Sequence, residues 1–391
     1  MPRRFLLASA AAACVLAQAA APATAQDTAC AVPAPVGSPP PPGWAGELRG
    51  LATGAGVRVA VIDTGVTPSP ELDQLVPGAD FVVPEAPQPL RDCDAHGTVV
   101  AGIIAANTVG IAPKAEVISI RQTSAHYRSR EADNPAGDEP SSGNLRTLAD
   151  AIHNALDLGA HVINMSVVSC VDPRVAPRVD TSGLDVALNR AEEQGAVVVA
   201  AAGNLTGECR QGSRVFPAHS PTVLTVGSRS DDYSLADYSV AIPDGAVALS
   251  ARGHAPVAPS PDGNGWAEGT YDQQGEVIPF EGTSFAAPVI TGSVALLKQR
   301  RPELTPAQVR EIVAAAAEPN GGAIDPVDVA SQLAPEVREP ASPLVIEPVQ
   351  QPASAAPRRW LLVAAGLAAA TFATLAGAAV RRPSGQRKQP A

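Results

Sequence analysis

The chain has 391 residues and a mass of 39.7 kDa, with 28 lysines and arginines against 39 aspartates and glutamates. Apolar residues make up 45 %, enough for a large core, so wholesale disorder is excluded. The resulting net charge of −11 argues against a protein built to grip nucleic acid, whose signature is a basic face.

Residues 1–25 begin with Arg3-Arg4, run apolar from Phe5 to Leu16 and finish with small residues up to Ala25. A positive start, a short apolar stretch and an Ala-x-Ala end predict a secretory signal peptide, cleaved after Ala25. An uncleaved anchor is the alternative, but the apolar stretch is short for a bilayer. Residues 26–44 follow, rich in proline from Pro33 to Pro42. Such a segment predicts extended polyproline II and excludes a helix.

The folded domain is expected over 45–333. Val57–Ile62, Val117–Ile120, Val162–Met165, Ala196–Ala200 and Val223–Val226 read as buried strands. Segments near 97–106, 143–158 and 182–193 read as helices. This alternation predicts an α/β fold, a parallel sheet with helices on both faces. In such sheets the site forms at the carboxyl ends of the strands. Two long loops are expected besides, a polar one over Arg121–Gly143 and a glycine-rich one over 251–275.

Residues 334–357 carry prolines from Pro335 to Pro357 and read as a semi-rigid stalk. Residues 360–380 are free of charge and lie between arginine pairs at 358–359 and 381–382. That length spans a hydrocarbon core of about 30 Å, so one transmembrane helix is expected. The tail 381–391 carries Arg381, Arg382, Arg387 and Lys388 and no acid. The positive-inside rule places it in the cytoplasm and the main body outside, a single-pass type I arrangement. Cys14 leaves with the signal peptide, and Cys30, Cys93, Cys170 and Cys209 remain for an oxidising compartment. Four cysteines allow three pairings, and free thiols are a further option. No zinc spacing or calcium loop is legible, so neither metal nor cofactor is expected.

The polar residues after the strand ends carry the chemistry. Asp63-Thr64-Gly65 follows the first strand, where an acid could equally begin a turn. His96-Gly97-Thr98 opens a helix, and a lone histidine there could be structural. Ala202-Gly203-Asn204 follows the strand 196–200, and Gly282-Thr283-Ser284-Phe285-Ala286-Ala287-Pro288 leads into a helix. Together they fit one machine. A serine hydroxyl needs a base to take its proton, and histidine can do so near neutral pH. A buried carboxylate holds the imidazole in the right tautomer. The Ser284 amide at a helix start and the Asn204 side chain can meet an oxyanion.

These four motifs, in the order Asp, His, Asn, Ser, resemble the subtilisin family of serine proteases, and the resemblance covers most of 50–333. It implies a subtilisin-like three-layer fold with a central, mostly parallel sheet. It implies that Asp63 orients, His96 is the base and then the acid, Ser284 is the nucleophile, and Asn204 and Ser284 form the oxyanion hole. Val162–Ser166 resembles the strand lining the substrate cleft, which singles out Met165, Ser166 and Val167. Protein substrates follow from the same resemblance.

Residues 26–62 are too few for the folding prodomain usual in this family. The proline-rich segment is instead expected to lie over the catalytic domain as a strap, with Cys30–Cys93 pinning it near His96. Cys170–Cys209 is the favoured second pair, since the loops after the cleft strand and after Asn204 lie at the same end of a parallel sheet. Signal peptide, strap, two disulfides, stalk and one C-terminal span resemble the mycosins, the membrane-anchored subtilisins of type VII secretion. That resemblance implies a type VII secretion membrane complex as partner, restricted cleavage of secreted proteins, and a second role supporting the complex. A non-catalytic scaffold and a general surface protease are the alternatives.

Overall fold

The computed structural model describes residues 30–127, 143–207, 209–231, 234–242, 249–319, 321–332 and 356–380. The signal peptide, the start of the strap, most of the polar loop after Arg121, nearly all of the stalk and the basic tail lie outside them.

In chain order the first half runs β1 Val32–Val36, α1 Ala45–Leu51, β2 Arg58–Asp63, β3 Leu75–Asp80, α2 Gly97–Ala105, β4 Glu116–Arg121, α3 Leu145–Asp157, β5 Val162–Met165, β6 Ser169–Val171, α4 Ser182–Glu193 and β7 Val197–Ala201. There follow β8 Arg214–Phe216, β9 Val223–Arg229, β10 Leu249–Arg252, β11 His254–Ala255, β12 Ala258–Pro259, β13 Trp266–Tyr271 and β14 Val277–Glu281. The helices α5 Thr283–Arg300, α6 Pro306–Ala316 and α7 Pro326–Ser331 complete this part, and α8 Ala356–Val380 is the last element in the chain.

Seven strands form one parallel sheet in the order β10-β9-β7-β5-β2-β4-β3. Its middle strands read as unbroken apolar runs because both faces are covered. In β2, Val59 and Val61 join the core with α2, α5, α6 and α7, and Ala60 and Ile62 join the core with α3 and α4. Three layers follow directly from this alternation.

The helices start where local chemistry dictates. Asn144 caps α3 by accepting from the Thr147 amide at 2.9 Å, and Thr305 caps α6 with Pro306 at its first turn. Helix α5 has no side-chain cap; it starts at Gly282, whose φ is +151°. It packs over β5, β7, β9 and β10, and Ala286 and Ala287 are fully buried at its start.

Two expectations change. The stretch 251–275 is not a loop: it holds β11, β12 and β13, and with β14 and β1 it forms a second, antiparallel sheet. Its glycines made it read as irregular, but Gly263, Gly265 and Gly275 adopt positive φ at turns beside the strands. Residues 32–36 are likewise not polyproline II; they pair antiparallel with β13. An edge strand has one unpaired side, where Pro33 and Pro35 cost no ladder hydrogen bond. The polar stretch after β4 also begins inside the fold. Arg121 is fully buried, 3.3 Å from Asp80 and stacked on the Tyr127 ring.

The second compact unit is Pro335–Ala391, and its described part is α8. Within it Arg358–Gly377 is long and apolar enough to cross a membrane, and none of it is buried.

Candidate active site

The strand β2 ends on Asp63, whose carboxylate is fully buried. Gly65 then turns the chain at φ +102°, and a Cβ there would stand 2.2 Å from the Arg91 carbonyl oxygen. Only glycine lets the end of β2 touch the loop before His96 backbone to backbone.

His96 caps α2, and its Nδ1 lies 2.6 Å from Asp63 Oδ1. The imidazole is a quarter exposed. An ionised Asp63 can only accept, so Nδ1 carries the proton and Nε2 is left free to take one. Asp63 Oδ1 also accepts from the Thr64 amide at 2.8 Å, and Oδ2 is buried with no partner among the described residues. The Phe285 ring lies 5.1 Å from the imidazole, tilted by 44°, and fixes its plane. Burial pushes the His96 pKa down, but the charge of Asp63, its hydrogen bond, and the charges of Asp92 and Asp94 outweigh it. The net shift is upward from the ordinary 6.5.

Asp92 was not singled out by its sequence context. It is buried and accepts from Thr64 Oγ1 and the Thr98 amide, each at 2.8 Å, and from the His96 amide at 3.4 Å. This carboxylate staples the end of β2 to the start of α2 around the histidine. Burial raises its pKa, opposed by hydrogen bonds from Thr98 and Thr64. Asp94 faces the other way and accepts from the Ala125 amide at 2.7 Å, fixing the chain after β4. Two acids spaced four and two residues before a histidine were the available signal.

Ser284 is the second residue of α5, so its amide has no intrahelical acceptor. Its hydroxyl donates to the Ser166 carbonyl at 3.0 Å. No hydrogen bond joins it to His96 among the described residues. Asn204 follows β7, and its Oδ1 accepts from both the amide and the hydroxyl of Thr283, at 2.9 and 3.0 Å. The carboxamide NH2 is thereby turned away from Thr283, and it has no acceptor among the described residues. A Cβ on Gly282 would lie 3.0 Å from it. Thr283, which the motif contains but to which the sequence assigned no role, is thus what orients Asn204.

Of the three cleft residues, Met165 is a correction. It is fully buried in the core with Ile62 and Ile163, because the register of β5 turns it into the sheet layer. Ser166 is 4 % exposed and faces α5, and Val167 is partly exposed. The structure joins Cys30 to Cys93 and Cys170 to Cys209, the pairing favoured from the sequence. Both sulfurs of the second pair lie 3.5 Å from where a Cβ on Gly203 would stand, directly beside Asn204. Among the described residues, no three His, Cys, Asp or Glu side chains are placed to hold a metal ion.

A profile of the subtilase family matches residues 54–335. Mycosin-1 of Mycolicibacterium smegmatis is 37 % identical, with 88 % of this chain and 83 % of that protein covered. Mycosin-4 of Mycobacterium tuberculosis is 40 % identical, with 71 % of this chain and 63 % of that protein covered. The crystal structure of MycP1 from the ESX-1 type VII secretion system superposes with a TM-score of 0.69 at 35 % identity, covering 80 % of this chain and 92 % of that one. A chain of the intact ESX-5 inner membrane complex gives a TM-score of 0.67 at 29 % identity, covering 90 % and 94 %. The sheet, the two disulfides and these likenesses agree: the chain belongs to the subtilase family of serine proteases, in its mycosin branch.

Proposed function

We infer that the chain is a membrane-anchored serine endopeptidase of type VII secretion, with Ser284 as nucleophile, His96 as base and Asp63 as orienting carboxylate. The observation that carries this reading is the 2.6 Å contact between buried Asp63, at the end of β2, and His96 Nδ1, at the start of α2; Asn204 follows β7 and Ser284 opens α5.

The hydroxyl of Ser284 turns from the Ser166 carbonyl towards His96 Nε2 as substrate enters. Ser284 Oγ then attacks the scissile carbonyl carbon while Nε2 takes its proton. The oxyanion is met by the Ser284 amide and the free NH2 of Asn204. His96 returns the proton to the leaving amine, and an acyl-enzyme remains on Ser284. Water, deprotonated by His96, releases the acid product. Asp63 stays ionised and stabilises the imidazolium throughout.

Losing the equivalent asparagine costs ~10²–10³ in turnover, a value measured on subtilisin itself. Asn204→Ala is expected to fall in that range on a peptide substrate with little change in KM. Near-full turnover would remove Asn204 from the oxyanion hole. The raised pKa of His96 sets the pH profile. The histidine must be neutral to act, so kcat/KM falls as pH drops through its pKa. The acid limb is expected to have its midpoint above 6.5. A midpoint below that value would contradict the environment described for the imidazole.

The catalytic domain lies outside the cytoplasm and α8 anchors it, with the arginine-rich tail inside. The apolar length of α8 and the likeness to a chain of an inner membrane complex support this. That same likeness favours a second role, support of the secretion complex apart from cleavage. A strain lacking the gene, complemented with wild type, with Ser284→Ala or with nothing, separates the roles. Extracellular proteins and their termini are read by mass spectrometry. Export restored by Ser284→Ala, with a few substrates left uncut, is the expected result. Export unaffected in every strain would refute the type VII assignment.

A further inference from the structure

Helix α5 contains a proline, Pro288, four residues after Ser284. An interior proline has no N–H to give, and its ring pushes against the carbonyl four residues back. That carbonyl belongs to Ser284. The residue proposed to attack substrate therefore stands on a peptide group deprived of its helical donor.

The side chain just past the end of β5 takes that donor's place. Ser166 Oγ donates to the Ser284 carbonyl at 2.7 Å. Its hydroxyl is itself held, accepting from Asn164 Nδ2 at 3.0 Å, and Asn164 Oδ1 accepts from Thr291 Oγ1 at 2.8 Å. Asn164 and Thr291 are fully buried and Ser166 nearly so. The result is a closed polar chain that leaves helix α5 at Thr291, crosses the end of β5 and returns at Ser284. Buried polar groups are kept in such a chain only when each member is satisfied.

We propose that Ser166 is a positioning residue whose hydroxyl replaces the backbone donor removed by Pro288 and so fixes the backbone of Ser284. This rests on the reading of Ser284 as nucleophile, and it gives the Ser166 side chain a role distinct from lining a cleft. The proline frees the Ser284 carbonyl from the helix, and β5 then sets its place relative to the end of the sheet. Helix geometry alone would not tie the nucleophile to that strand.

A double-mutant cycle on the full-length, detergent-solubilised protein tests it. The variants are Ser166→Ala, Pro288→Ala and the pair together. The readouts are the rate of labelling by a fluorophosphonate probe and the melting temperature. Ser166→Ala alone is expected to slow labelling by about tenfold, the factor commanded by one buried hydrogen bond. In the Pro288→Ala background residue 288 regains an N–H for the Ser284 carbonyl, and the same substitution should slow labelling by no more than about threefold. The melting temperature should show the same coupling. Equal losses in both backgrounds would overturn the proposal. Should Ser166→Ala not fold, Ser166→Cys, a weak donor, takes its place in the cycle. A wild-type protein that fails to label would instead refute the catalytic reading, and the melting-temperature cycle would then decide the support role by itself.

Discussion

Ser284→Ala is expected to abolish peptidase activity while leaving the fold intact. In subtilisin, removing the serine of the triad lowers turnover by about 2 × 10⁶, and a loss of that order is expected here. The reason is chemical: without the Ser284 hydroxyl there is no oxygen nucleophile at this place to form the acyl intermediate. Alanine retains the helix start, and the Thr283 contacts that orient Asn204 do not involve the hydroxyl. Among the described residues the deleted oxygen donates only to the Ser166 carbonyl. The melting temperature should therefore move by no more than a few degrees. Turnover that survives above a hundredth of wild type would assign the chemistry to another group.

Asp63→Asn is the second large effect, and its cause is more specific. Among the described residues the donors around this carboxylate converge on Oδ1: the Thr64 amide, the Thr64 hydroxyl and His96 Nδ1. An asparagine would place its oxygen there and its NH2 at the position of the unpartnered Oδ2. The imidazole would keep its tautomer but lose the charge that stabilises its protonated form. Removing the aspartate in subtilisin costs about 3 × 10⁴ in turnover, and a fall near that size is expected. The acid limb of the pH profile should also move to lower pH, because Asp63 supplies the largest upward push on the His96 pKa. A stranded NH2 costs about 1–3 kcal/mol of stability besides. A large loss of activity with an unmoved acid limb would point to a misplaced ring rather than a missing charge. The sign for folding runs the other way. His96 is raised in the folded state, so it adds stability at low pH that is lost as pH rises through its folded pKa.

The sheet was legible because its strands are short apolar runs and the parallel arrangement buries both faces of them. Helix α4 was read near 182–193, and it spans Ser182–Glu193. The four motifs stood out because each sits just past a strand or at a helix start. What escaped notice depends on partners far away in sequence. Thr283 orients a residue 79 positions earlier, and Ser166 supports one 118 positions later. Neither spacing leaves a local trace. Met165 was assigned to the cleft with its neighbours, yet a strand sends successive side chains to opposite faces. The stretch 251–275 hid its strands because β11 and β12 are two residues each and glycines mark the turns on either side of β13. Pro288 was visible throughout, but its consequence for Ser284 appears only once the donor from Ser166, just past β5, is seen.

The most direct test of the central claim maps where a fluorophosphonate bonds. The full-length protein is labelled, digested and sequenced by mass spectrometry, beside Asn204→Ala and Ser284→Ala as controls. A single adduct on Ser284 is expected, formed more slowly in Asn204→Ala and absent from Ser284→Ala. An adduct on another serine, or none on a folded wild-type protein, would contradict the role of Ser284 as nucleophile.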